Sequence, residues 1–254
     1  MRRLARSLLA EFQKTRRLPV RIMHLVIPVG AAGLFLLYAR YTPWNEYEKV
    51  AAYFQILGAG YPFLIGLFCA MASEQEQTAG GCQEMLAAPG RISAFWGKLL
   101  FLILLGFCAV CLAVFLFGMG YPEKTESAIF QDHHKAFLFY AKASLALWGS
   151  SLFLYILHLF LALRFDKSVS MVLGVVESLI SALFLTGMGE GIWIFVPASW
   201  ASRLVTVLAL VESGTDFLKE EFQMAIGICA LLTVAGASGF SIWCCRWEGK
   251  RGND

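Results

Sequence analysis

Apolar and polar positions follow each other along the chain in long blocks. Six mostly apolar runs occur, at residues 22–39, 53–72, 99–119, 143–163, 169–188 and 222–245. A helix of about 20 apolar residues crosses the hydrocarbon core of a membrane and satisfies its backbone hydrogen bonds internally. The pattern therefore predicts an all-α, polytopic membrane protein with six transmembrane helices. It divides the chain into residues 1–21, a transmembrane domain at 22–245 and a tail at 246–254.

The distribution of charge predicts how the chain is oriented. Only 15% of the 254 residues are charged, against about 25% in soluble domains, and the net charge of +3 gives no reason to expect nucleic acid. Fourteen Lys and Arg residues lie on the side of the N-terminus and seven on the other. Because basic loops stay in the cytoplasm, we expect a multi-pass protein of the cell membrane with both termini cytoplasmic.

The segment before the first run is amphipathic. At 100° per residue its apolar side chains share one face and its basic side chains the other; the apolar ones are Leu4, Ala5, Leu8, Leu9 and Phe12. This pattern predicts an interfacial helix whose basic groups contact anionic lipid. A solvated basic tail is the alternative.

The connection between the second and third runs, residues 73–91, is polar and then rich in helix formers. Residues 83–88 can form a short cytoplasmic helix that Pro89 and Gly90 end. Such a helix, held against the membrane, could receive a push from a soluble motor. An ordinary loop is equally compatible with the pattern.

Glu177, in the fifth run, is the only charged residue in any of the six runs. A carboxylate at this depth normally faces protein. It lies beside small residues at four-residue spacing, which permit close helix approach; they are Ser170, Gly174, Ser178 and Ala182. Glu177, Gly174 and Ser178 are therefore candidates either for helix packing or for a role in the substrate path or in the coupling of movement.

Residues 192–203 are apolar but too short to span a membrane. They contain Pro197 and have Trp193 and Trp200 near their ends, followed by Arg203. Because Trp favours the headgroup boundary, we expect an outer interfacial or re-entrant helix here. The predicted outer segments also carry ten carboxylates, which either keep the loops soluble or attract a cationic substrate.

Motifs for catalysis do not occur in the sequence. It contains no phosphate-binding G-x-x-x-x-G-K-[ST] loop, no H-E-x-x-H and no G-x-S-x-G. We therefore expect no enzyme, no metal site and no cofactor bound by this chain.

Several stretches carry a resemblance to a known family. They are residues 12–17, 43–44, 52–58, 74–76, 89–91, 161–165, 174–179 and 189–193, with Pro197 and Trp200. On these stretches the chain resembles the lantibiotic immunity permeases of the MutG family, which are subunits of ABC transporters.

The resemblance implies partners and a function. It implies a dimer of ABC ATPase subunits that binds ATP and Mg, a second related permease, and the expulsion of cationic lantibiotic-type peptides from the membrane, which gives self-protection or resistance. It also implies that the ATPase contacts the 74–91 segment, whose candidate residues are Glu74, Glu76, Gly80, Gly81, Glu84, Leu86, Pro89 and Arg91. A membrane sensor or scaffold that binds the peptide without moving it is the alternative.

Overall fold

The computed structural model describes residues 2–88, 90–120, 133–215 and 217–249. Within these ranges every regular element is a helix, as predicted. The α-helices are α1 (Arg2–Lys14), α2 (Pro19–Tyr41), α3 (Glu46–Thr78), α4 (Gln83–Ala87), α5 (Arg91–Gly120), α6 (His133–Ser150), α7 (Leu152–Arg164), α8 (Lys167–Leu183), α9 (Trp200–Glu212) and α10 (Leu218–Arg246). Three 3-10 turns, Gly187–Gly189, Trp193–Phe195 and Pro197–Ser199, lie between α8 and α9.

In the part of the chain that the structure describes, five helical segments are long and apolar enough to cross a membrane. They are Pro19–Tyr41, Glu46–Thr78, Arg91–Gly120, His134–Arg164 and Leu218–Arg246. These segments contain the first four predicted runs and the last. The fourth joins α6 and α7, which are separated only at Ser151.

The fifth predicted run is the exception. Its helix, α8, has 17 residues, or about 25 Å at 1.5 Å per residue, less than the roughly 30 Å of a hydrocarbon core. The helix ends at Leu183 because a glycine-rich stretch follows, and Thr186 caps the next turn by accepting the N–H of Met188. The chain then returns through the 3-10 turns into α9. The prediction of a sixth full-length span is therefore not confirmed.

Helix α3 is packed most closely by α8 and α9. Gly174 of α8 lies against the backbone of α3 at Phe63, and Gly58 of α3 lies against the backbone at Ser202 of α9; a Cβ atom on Gly58 would be 2.5 Å from Ser202 Cα. Ser181 of α8 and Ser202 are hydrogen-bonded at 2.9 Å. The segment after α8 therefore doubles back beside α8 and α3.

The small residues predicted to form a ridge on α8 mostly face protein. Ser170, Gly174, Glu177 and Ser181 are the buried residues of this helix. Ala182 is exposed, because a strict four-residue spacing drifts around a helix of 3.6 residues per turn. The buried line therefore passes through Glu177 and Ser181 at the end of the helix.

The N-terminal segment forms a helix that packs on α5. The Phe12 ring meets the Phe101 ring edge-on at 4.9 Å between centroids, and Gly97 allows close approach at Ser7. Leu9, on the predicted apolar face, is 62% exposed. The apolar side of α1 is thus divided between α5 and the surroundings, and its position at a lipid surface stays a prediction.

Candidate functional site

Five charged side chains form a cluster where α1, α3, α4 and α5 meet. We call this set the ion cluster: Glu11, Lys14, Glu76, Glu84 and Lys98. Lys98 Nζ lies 2.6 Å from Glu11 Oε2 and 3.0 Å from Glu76 Oε1. Lys14 Nζ lies 3.4 Å from Glu76 Oε1 and 2.8 Å from Glu84 Oε2. The cluster therefore links the N-terminal helix to Glu76 and Glu84 of the 74–91 segment.

The cluster has a buried part and an exposed part. Lys98 is 1% exposed and Glu76 3%, whereas the Glu84 side chain is 64% exposed. Buried charges are tolerated when they are paired and hydrogen-bonded, and removing one partner typically costs about 3–5 kcal/mol. Lys98 thus holds α1 and α3 together, while Lys14 reaches from this buried centre to the surface of α4.

The exposed part has perturbed ionisation. Burial opposes the charged form of Lys14, but its hydrogen bond to Glu84 and the attraction of Glu76 and Glu11 outweigh this effect and raise its pKa. The hydrogen bond from Lys14 lowers the pKa of Glu84. Both groups are therefore charged at neutral pH.

The short helix predicted in the 73–91 connection is confirmed as α4. Before it, the chain reverses through positive φ angles at Gly80, Gly81 and Cys82, and glycine adopts such angles at little cost. Met85 packs inward at 2% exposure, which orients the helix against the bundle. The turn and this anchor give α4 a fixed position at the end of α3.

The other residues predicted to contact an ATPase differ in how exposed they are. Gly80, Gly81 and Glu84 are exposed, and Leu86 and Arg91 are half-buried. Glu74 is exposed and pairs with Lys167 of α8, which raises the pKa of Lys167. Pro89 lies outside the described residues. The prediction that an ATPase contacts this segment is untested, and the buried Glu76 carboxylate faces the ion cluster instead of the surface.

Glu177 faces protein, as predicted, and its partner is a histidine. His158 Nε2 of α7 lies 2.7 Å from Glu177 Oε2, and His158 Nδ1 lies 3.0 Å from Ser170 Oγ. Ser170 Oγ donates to Gly66 O of α3 at 3.0 Å. This chain of contacts joins α7, α8 and α3 inside the predicted membrane region.

The direction of these hydrogen bonds fixes the number of protons in the pair. A carbonyl oxygen only accepts, so the Ser170 hydroxyl donates to Gly66 and must accept from His158 Nδ1–H. One further proton then lies between Nε2 and Oε2. It gives either a neutral imidazole with a protonated carboxyl or an imidazolium with a carboxylate, and both have zero net charge. A neutral pair is the form that a membrane interior tolerates best.

Ser178, the remaining intramembrane candidate, contacts α3 beside its internal proline, Pro62. Phe63, the residue after Pro62, donates its backbone N–H to Ser178 Oγ at 3.0 Å. A proline inside a helix removes one backbone hydrogen bond and distorts its neighbours. Ser178 therefore supports the backbone at this distortion, beside the close approach of Gly174.

The predicted outer segment is fixed by buried side chains. Trp193 and Trp200 are fully buried; Trp193 Nε1 donates to Glu221 Oε1 and Trp200 Nε1 to the Ile194 carbonyl, each at 2.8 Å. Their rings thus face protein in this chain, and a location of the segment at the outer headgroups stays a prediction. Pro197 begins the third 3-10 turn.

Arg203 stabilises the segment that follows α8 by hydrogen bonding to it. Its guanidinium donates to the Phe184 carbonyl, to the Thr186 carbonyl at 3.0 Å and to Glu190 Oε1 at 3.2 Å. These carbonyls follow the end of α8, where backbone acceptors lack helical partners. Arg203 therefore stabilises the return segment instead of presenting a free charge.

Sequence reasoning did not identify Glu11, Lys98 or His158 as site residues. For His158 a signal was present, because two ionisable residues in separate apolar runs tend to pair with each other. For Lys98 and Glu11 no comparable signal existed, since each lies at the edge of an apolar segment. Among the described residues, no group of three His, Cys, Asp or Glu side chains could hold a metal ion.

Long apolar helices joined by buried polar contacts define a multi-pass membrane protein. A family model described as ABC-2 family transporter protein matches residues 7–184. The match covers more than half of the chain, so the chain belongs to the ABC-2 family of transporter membrane subunits. These subunits are not themselves catalytic and work in general with an ABC ATPase. Comparisons with curated proteins and with solved structures gave no match.

Proposed function

We propose that this chain is the permease subunit of an ABC transporter that expels lantibiotic-type antimicrobial peptides from the membrane. A separate pair of ATPase subunits binds ATP and Mg, and a second, related permease completes the complex. The observation that carries the coupling part of this proposal is the ion cluster, which ties α4 to α1, α3 and α5. A displacement of α4 by an ATPase would reach three helices at once.

The choice of a cationic peptide rests on the resemblance and on the acidic residues of the predicted outer side. Several of those carboxylates have structural contacts. Glu212 pairs with Lys142 at 2.6 Å, Glu221 accepts from Trp193, Glu190 accepts from Arg203 and Glu48 accepts from the Asn45 N–H. Glu220 precedes Glu221 at the start of α10 and is exposed. We therefore assign attraction of the peptide to Glu220 and Asp216, of which Asp216 lies outside the described residues.

The test is reconstitution of the complete complex in proteoliposomes with a purified cationic lantibiotic. We expect the peptide to stimulate ATP hydrolysis and to be released from the vesicles. Leu86→Asp places a charge on the half-buried side of α4 and should abolish stimulation and reduce co-purification of the ATPase. Gln13→Asp adds the same charge at an exposed position of α1 and is the matched control. Full stimulation in Leu86→Asp would show that α4 is not the contact with the ATPase. If the intact complex does not respond to the peptide, the lantibiotic is not its substrate.

A further inference from the structure

An apolar groove runs between α6, α9 and α10. Its volume is about 660 Å³, within the range of about 300–1,000 Å³ that is typical of ligand pockets. Its walls are mostly apolar. One charged pair closes one end, where Lys142 Nζ of α6 lies 2.6 Å from Glu212 Oε1 of α9. The groove is therefore amphipathic along its length.

The length of the groove matches one leaflet of a bilayer. On α6 and α7 it runs from Lys142 to Leu152, and on α10 from Phe222 to Val234. At 1.5 Å per residue these stretches rise about 15 and 18 Å. Half of a hydrocarbon core is about 15 Å thick. The charged end thus lies at headgroup depth when the other end lies near the middle of the membrane.

The charged end suits a phosphate. A lysine ammonium has three donors, of which the contact with Glu212 uses one. Lys142 keeps 42% of its side chain exposed, so a phosphate oxygen can reach it. Glu212 opposes a second anion but accepts the amine of a zwitterionic headgroup, which favours a phospholipid over a simple fatty acid.

We propose that the α6–α9–α10 groove binds one phospholipid, with an acyl chain along the groove and the phosphate on Lys142. This site differs from the ion cluster and from the His158–Glu177 pair, and it requires neither an ATPase nor transport. A helix of a second permease and an apolar segment of a peptide are the competing occupants.

Gly149 provides a variant that blocks the groove without disturbing the fold. It lines the groove, and nothing lies within 4 Å of the position of a Cβ atom. Gly149→Leu therefore extends into the groove and removes a glycine from α6, which favours the helix. Gly33→Leu is the matched control, because Gly33 of α2 has the same open space outside the groove.

The experiment uses the full chain in vesicles of phosphatidylethanolamine and phosphatidylglycerol. A trace of phosphatidylethanolamine carries a photoreactive diazirine at the end of one acyl chain, and adducts are mapped by mass spectrometry. We expect an adduct at the inner end of the groove near Thr233, and a second, general one at Leu231, which is 68% exposed and lies outside the groove. Gly149→Leu should reduce only the Thr233 adduct, by about tenfold, which corresponds to about 1.4 kcal/mol of binding. Gly33→Leu should change neither.

The headgroup is tested separately. Lys142→Gln should reduce the Thr233 adduct, whereas Lys135→Gln, an exposed lysine on the same helix, should not. Equal reduction of both adducts in Gly149→Leu, or no reduction, would overturn the proposal. An adduct unchanged in Lys142→Gln would overturn the phosphate contact. Loss of the Thr233 adduct when the second permease or a lantibiotic is added at stoichiometric amounts would assign the groove to that molecule instead.

Discussion

The ion cluster and the His158–Glu177 pair are both buried and polar, but they differ in the charge that they hold. The ion cluster brings together two lysines and three glutamates from four helices. The pair shares one proton between α7 and α8 and has no net charge. Removing one charge from the cluster therefore leaves its partner unbalanced, whereas the pair can change its state by moving one proton.

This difference follows from location. The cluster includes surface groups such as Glu84, so water and counterions screen part of its charge. The pair is surrounded by apolar helices, where an unbalanced charge is expensive. We infer that the cluster transmits force between helices, while the pair fixes their packing or switches it without a cost in net charge.

The largest effect is expected from Lys98→Met. This change removes the nearer and fully buried of the two lysines that Glu11 and Glu76 share, and we expect a loss of about 3–5 kcal/mol of stability. Thermal unfolding of the purified chain measures it. The triple variant Lys98→Met, Glu11→Gln, Glu76→Gln removes the charges together and should recover most of the loss. If Lys98→Met is as stable as the wild type, the cluster does not hold α1.

A smaller effect is expected at Glu177. Glu177→Leu leaves the acceptor nitrogen of His158 unpaired and should lower stability by about 1–3 kcal/mol. Glu177→Gln can still donate to that nitrogen and should assemble normally. Complex yield and peptide resistance distinguish a role in helix packing from a role in proton movement. A Gln variant that assembles but gives no resistance indicates that the shared proton is needed for function. A fully active Gln variant would show that the pair only packs the helices and has no switching role that distinguishes it from the ion cluster.

The exposed edge of the cluster should depend on pH. The pKa of Glu84 is lowered from 4.5 and that of Lys14 raised from 10.5. The contribution of Glu84 to stability is present above pH 4.5 and is lost as the pH falls through the lower folded-state pKa of this carboxyl group. The contribution of Lys14 to stability is present below pH 10.5 and is lost as the pH rises through its higher folded-state pKa. Fluorescent labels on Ala10 and Ala87 should therefore keep their distance at neutral pH and separate on acidification below 4.5. Glu84→Gln should abolish this transition, and an unchanged transition would assign it to other groups.

The smallest effect is expected on the predicted outer side of the protein. Replacing Glu220 and Asp216 by their amides should reduce protection against a cationic peptide by up to about tenfold at low salt, because steering by surface charge is screened. Protection should be nearly unchanged at high salt. Glu248→Gln, at the predicted cytoplasmic end, is the control. Equal protection at all salt concentrations would remove the assignment of peptide attraction to these residues.

The sequence predicted those parts of the fold that depend on local pattern. Long apolar runs marked five segments, and Pro89 and Gly90 marked the end of α4. The fifth run was not confirmed as a full-length span, because apolar content alone did not show where its helix would end, and Gly187 lies inside that run, with Gly189 and Gly191 just after it. The inward orientation of Glu177 was also predictable, because the spacing of small residues beside it is a pattern within one helix.

The candidate site was less predictable because its contacts join distant parts of the chain. Lys98 meets Glu11 across 87 positions, and no pattern in one segment contains that pairing. The burial of Trp193 and Trp200 likewise depends on the return of the chain after α8. Residue type suggested a membrane boundary, but tertiary packing gave both rings protein partners.

The central claim is that the ion cluster couples an ATPase to the spans. It is tested most directly by Lys14→Gln in the reconstituted complex, with peptide-stimulated ATP hydrolysis as the measurement. In this variant Lys98 still pairs with Glu11 and Glu76, and the contact that is lost to Glu84 is exposed and therefore weak, so the complex should assemble with its basal rate intact. We predict that stimulation by the lantibiotic is lost. A Lys14→Gln complex that the peptide stimulates as fully as the wild type would contradict the claim.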